Sequence, residues 1–74
     1  MRKYFRVRKA LEKLKSEFTY TELIGALVSE GLTDTTARRY RQRLLNMEII
    51  EQQEDKYCFT TRKWRVKLEK FAPR

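Results

Sequence analysis

The chain has 74 residues, with 18 Lys or Arg against 10 Asp or Glu, a formal net charge of +8, and 41% hydrophobic and 12% aromatic residues. That length supports one domain, 1–74, with a thin core, and the aromatic content excludes a disordered basic tail. Histidine is absent and Cys58 is the only cysteine, which excludes an intramolecular disulfide, a Cys/His zinc site, and His-based or Cys–His catalysis.

An unpaired thiol fits a reducing cytosol. No apolar run reaches the ~20 residues of a membrane span, and Met1–Arg6 lacks the apolar stretch of a secretory signal. A cytoplasmic location, nucleoid-associated or otherwise intracellular, is therefore expected. So large a positive excess repels itself, and a polyanion relieves the repulsion. Nucleic acid is the first candidate and an anionic membrane surface the second.

Tyr4, Val7, Leu11, Leu14 and Phe18 recur at spacings of three and four, predicting a first amphipathic helix over about 2–15. Thr19-Tyr20-Thr21-Glu22 fits a capping box, with Phe18 and Leu23 placed as a hydrophobic staple. A second helix over about 20–30 follows, with Tyr20, Leu23, Ile24, Leu27 and Val28 inward and Gly31 as its left-handed terminator. Thr33 is an N-cap for a third helix running to Met47, and Asp34 complements its positive end. The short turn between the second and third helices is the spacing a helix-turn-helix requires.

After Met47 the period changes. Ile49–Gln52 and Tyr57–Thr60 are rich in strand formers and flank the polar turn Gln53-Glu54-Asp55-Lys56, which predicts a hairpin with Ile50, Tyr57 and Phe59 inward. Thr60 or Thr61 then caps a last helix over about 62–71 with the stripe Trp64, Leu68, Phe71. That stripe has two readings: completion of the core against the first helix, or a two-fold dimer contact. The second is favoured, because paired half-sites add specificity that one small module lacks.

This order resembles the winged helix-turn-helix family. The residues that carry the resemblance are Phe18–Leu23, Gly31–Tyr40, Ile49–Glu51 and Tyr57–Phe59, covering about 3–61. In size the chain also resembles the small regulators of archaea and their viruses. The resemblance implies a mainly α fold with a small β-hairpin (α+β): three helices, a two-stranded wing and a C-terminal helix. It also implies that the third helix lies in the major groove. Two departures stand out: Glu48 occupies a place where such proteins often carry glycine, and the wing tip is acidic rather than basic.

On a helical wheel, Ala37, Tyr40, Leu44 and Glu48 share one face of the third helix, flanked by Arg41, Leu45 and Met47. The opposite face presents Thr35, Arg38, Arg39, Gln42, Arg43 and Asn46, side chains that match base edges in the major groove. Thr36, through its backbone N–H, and Arg2, Lys3, Lys9 and Lys56 are the expected phosphate contacts. Charge is segregated along the chain. Residues 1–47 hold 11 basic and 5 acidic side chains, residues 48–61 hold 1 and 4, and residues 62–74 hold 6 and 1.

The expected function is sequence-specific binding of double-stranded DNA, as a transcriptional regulator and a homodimer. Non-specific or architectural DNA binding and a protein-interaction module are the alternatives. No carboxylate pair, metal cluster or glycine-rich phosphate loop is visible, so no catalysis, cofactor, metal or small-molecule ligand is expected. Cys58 reads as a small strand filler.

Overall fold

The computed structural model describes residues 3–70; Arg2 and Phe71 lie outside them, and Lys3 enters only as the first residue of a helix. The elements in chain order are α1 (Lys3–Glu12), β1 (Glu17–Thr19), α2 (Tyr20–Ser29), α3 (Asp34–Asn46), β2 (Ile50–Gln53), β3 (Lys56–Phe59) and α4 (Trp64–Glu69). They form a small α+β domain of four helices and a three-stranded antiparallel sheet of order β1-β3-β2. None of these helices is long and apolar enough to cross a membrane.

The third strand corrects the two-stranded expectation. The chain leaves α1 at Glu12, three residues before the expected end, through i→i−3 bonds from Lys13 to Ala10 and Leu14 to Leu11. Glu17, Phe18 and Thr19 then pair with Cys58, Tyr57 and Lys56. Phe18 therefore serves both as the buried centre of β1 and as the residue leading into α2. The hairpin is also tighter than expected, because Gln53 pairs with Lys56. Only Glu54 and Asp55 remain in the turn, and Glu54 takes a positive φ of 58° where glycine usually sits.

Capping sets the helix ends. The Thr19 side chain accepts from the Glu22 N–H at 3.1 Å, and Glu22 Oε1 accepts from the Thr19 N–H at 3.0 Å, closing the capping box. Past α2, Gly31 donates to the Val28 carbonyl and Leu32 to the Leu27 carbonyl. This is the paired-bond termination that needs a left-handed residue, and Gly31 supplies it with φ 98°. Past α3 the same two bonds recur, Glu48 to Leu45 and Ile49 to Leu44, but the left-handed residue is Glu48, at φ 57°. Glu48 thus takes the backbone conformation that glycine adopts most readily. Thr60 and Lys67 hold that corner by donating to the Glu48 carbonyl.

The core joins Val7, Ala10 and Leu11 of α1, Phe18, the α2 residues Leu23, Ile24 and Leu27, Ala37 and Leu44 of α3, Ile49, Ile50 and Tyr57. Two inward assignments are overturned: Tyr20 is 39% and Val28 42% exposed. Helix α2 buries a narrower stripe than expected because α1 and α3 cover only its Leu23–Ile24–Leu27 side. The terminal helix is shorter than 62–71. Thr61 Oγ1 accepts from the Lys63 N–H in the turn before it, while the Thr60 hydroxyl is bonded to the Glu48 and Ile49 carbonyls.

Trp64 and Leu68 are 5% and 4% exposed and belong to the core of this chain. Trp64 stacks on Phe59, with ring centroids 4.8 Å apart, and Phe59 in turn meets Phe18 at 5.3 Å. This corrects the dimer assignment for Trp64 and Leu68: side chains already covered by their own subunit have little surface to offer a second one. Phe71, the third member of that stripe, lies outside the described residues. Helix α4 runs beside α1, with Arg65 of α4 3.8 Å from Glu12 and Arg8 of α1 4.0 Å from Glu69.

Candidate nucleic-acid interface

Helix α3 is the element on which a surface site is built. Thr33 caps it, accepting from the Thr36 N–H at 3.2 Å. Ala37 and Leu44 anchor its inner face in the core, and Tyr40, Arg41, Leu45 and Met47 are half-buried beside them. The period of 3.6 residues then fixes the other side outward. Thr35, Arg38, Arg39, Gln42, Arg43 and Asn46 are all exposed. The structure brings these six together on one helix face, as the sequence predicts.

Their local partners differ. Arg38 lies 3.0 Å from the Asp34 carboxylate one turn earlier. Both groups are well exposed, so the pair contributes about 0–1 kcal/mol and an incoming anion can displace it. Gln42 Nε2 donates to Asn46 Oδ1 at 3.1 Å, which aligns the two amides along the helix. Arg43 rests over the Tyr40 ring at 5.7 Å, a weak cation–π contact at an exposed site. No acidic residue falls between Ala37 and Met47.

The phosphate candidates are more scattered. The Thr36 amide is already bonded to Thr33 Oγ1, and its hydroxyl accepts from the Thr33 hydroxyl at 2.9 Å. The expectation that the Thr36 N–H binds phosphate is therefore corrected: the cap occupies it. Lys9 is exposed on α1 beside Glu30, at the end of α2 that turns into α3. Glu30 is ion-paired with Lys13. That hydrogen bond, then the charges of Lys13 and Lys9, hold the Glu30 carboxyl below the usual carboxylate range. From the same side Arg6 donates to the Gly31 carbonyl at 3.3 Å. Cations of α1 thus gather at the negative end of α2.

Lys56 stands elsewhere. It is exposed on β3 and shares a surface cleft with Lys15 and Glu22 at the start of α2. Hydrogen bonds from Thr19, and then the charges of Lys15 and Lys56, hold the Glu22 carboxyl low. Arg2 lies outside the described residues, and for Lys3 no side-chain position is described.

Negative charge is gathered on the sheet. Glu17, Cys58 and Glu51 are register partners across β1, β3 and β2, alternating with the buried Phe18, Tyr57 and Ile50, so they lie on the face turned away from the core. Cys58 Sγ donates to Glu51 Oε1 at 3.4 Å. Partial burial, and then that carboxylate, push the thiol pKa up. The segregation of charge along the chain is thus also a segregation in space, with arginines on α3 and carboxylates on the outer sheet and its turn.

One residue of this surface escapes the sequence reading. Arg41, at the margin of the inner face, places its guanidinium 5.5 Å over the ring of Tyr20, the first residue of α2. Its marginal position on the wheel is the only signal the sequence carries. Comparison with protein-family profiles, curated proteins and solved structures finds no match to this chain.

Proposed function

We propose that this chain is a winged helix-turn-helix protein that binds duplex DNA sequence-specifically, as a transcriptional regulator, with α3 in the major groove. The observation that carries the reading is the outer face of α3. It holds three exposed arginines, two amides and a threonine on one rigid helix, free of carboxylates from Ala37 onward. Arginine pairs with guanine O6 and N7, and Gln or Asn with adenine N6 and N7. A helix anchored by Ala37 and Leu44 presents these groups pre-positioned, which lowers the entropic cost of binding.

The element order supports the same reading. Three helices, the β2–β3 hairpin and a terminal helix follow in the order that the winged-helix resemblance implies, and β1 adds a strand that it did not predict. The acidic turn at Glu54 and Asp55 makes phosphate contact by the hairpin tip weak, so affinity rests on α3 and the cations beside it. The role is binding, without catalysis. Because Trp64 and Leu68 are buried within the chain, the proposal requires no partner subunit.

Selection from random duplexes at two salt concentrations tests this directly, followed by Arg39→Ala and Gln42→Ala. Each variant is expected to relax preference at one base pair by about 1–3 kcal/mol, roughly 5- to 150-fold. Equal affinity for unrelated duplexes with a steep salt slope would select non-specific binding instead. Absence of any DNA binding at low salt would refute both.

A further inference from the structure

We infer that Arg41, backed by Tyr20, is a fixed contact for a DNA backbone phosphate at the flank of α3, distinct from the base-reading face. The inference rests on the duplex-binding reading above. Arg41 is half-buried, and its Nε is the one buried side-chain polar atom without a hydrogen-bond partner among the described residues. None of the ion pairs among those residues includes it. A guanidinium that is partly desolvated with no carboxylate beside it is unfavourable in the isolated protein. It is the arrangement expected where the counter-charge arrives with a ligand.

Three features of the surroundings specify an anion. Tyr20 opens α2, so the partial positive charge of that helix end lies on the same side as the guanidinium. Lys15 and Lys56 border the same end of α2; of the two carboxylates beside them, Glu22 is engaged by Thr19 and Glu17 lies on the outer face of the sheet. The Tyr20 ring under the guanidinium, 5.5 Å from centroid to carbon, restricts the side chain, and the buried Nε leaves the terminal nitrogens to reach outward. A planar fork held in this way suits two oxygens of a phosphodiester. Arg41 also leaves the inner margin of α3 and points towards α2, whereas Arg39 and Gln42 leave the opposite side. With α3 along a groove, the flank rather than the floor is what Arg41 meets.

The test is the salt dependence of binding to a selected duplex and to an unrelated one, with wild type, Arg41→Gln and Arg41→Lys. Arg41→Gln is expected to lower the magnitude of the slope of log affinity against log salt by about 0.9, the value for one lost phosphate contact. Affinity should fall by the same factor for both duplexes, leaving base preference unchanged. Arg41→Lys should keep most of the slope. Removing a donor that lacks a partner should also leave the thermal midpoint of Arg41→Gln equal to wild type or higher. A purely structural tie between α2 and α3 would instead lower that midpoint and leave the slope alone. An unchanged slope for Arg41→Gln, with wild-type binding intact, would overturn this inference only. Failure of wild type to bind either duplex would overturn it together with the reading it rests on.

Discussion

Replacing Glu48 by glycine is expected to stabilise the protein. Glu48 is the left-handed residue that ends α3, at φ 57°, and such a conformation costs an L-residue roughly 1–2 kcal/mol. Glycine adopts it freely but brings a more flexible unfolded chain, worth roughly 0.5–1 kcal/mol against it. The difference favours glycine by about 0.5–1 kcal/mol. For a domain of this size that is a rise of roughly 2–8 °C in Tm. The bonds that brace the corner are made to the backbone carbonyl of residue 48, by Thr60 and Lys67, so glycine retains them. Glu48→Ala is the control: it removes the carboxylate from the negative end of α3, worth about 0.3–1 kcal/mol, yet keeps the strain. Thermal and urea unfolding at neutral pH measure both variants. A Glu48→Gly protein no more stable than Glu48→Ala would refute the strain argument.

Trp64→Ala should cost about 3–5 kcal/mol, since it empties a core site stacked on Phe59. Were Trp64 a subunit contact instead, the denaturation midpoint of the wild type would depend on protein concentration, which dilution series in urea would show. Acid should destabilise the fold through Glu22 and Glu30, whose carboxyls are held below their ordinary value by Thr19 and by Lys13. A depressed folded pKa contributes stability that is present above the unfolded value, near 4.3, and lost as the pH falls through the folded one. Melting curves from pH 7 to 3 should therefore drop below about pH 5. Thr19→Ala and Lys13→Met should each flatten that drop, and a drop unchanged in both variants would contradict the assignment.

What the sequence made legible is what is decided within a few residues. Thr19 and Glu22 meet across one turn, Gly31 and Leu32 end α2 through bonds three and five residues back, and Ala37 and Leu44 mark the inner side of α3. All of these are set by local geometry. Strand β1 was not legible, because Glu17–Thr19 is extended only by pairing with Lys56–Cys58 far along the chain, and three residues are too few to show a period. Tyr20 looked like core because its spacing continues the α2 stripe; in the fold it stays 39% exposed, with Arg41 over its ring. Trp64 and Leu68 show an apolar stripe equally well for a core or for a subunit contact, and only the packing of Phe18, Phe59 and Trp64 decides between them. The base-reading candidates were the most legible part of the site, since exposure on a helix follows from its anchors. The proposed phosphate contacts were the least, since Lys9, Lys56 and Arg41 come from three elements whose mutual placement no local pattern encodes.

The most direct test is to titrate an isotopically labelled protein with a selected duplex and map the amide and arginine side-chain shifts. The largest changes are expected along Thr35–Asn46 and at the arginine Nε groups of α3, with little change on the outer sheet at Glu17, Glu51 and Cys58. Changes centred on that sheet face, with α3 unperturbed, would contradict the account.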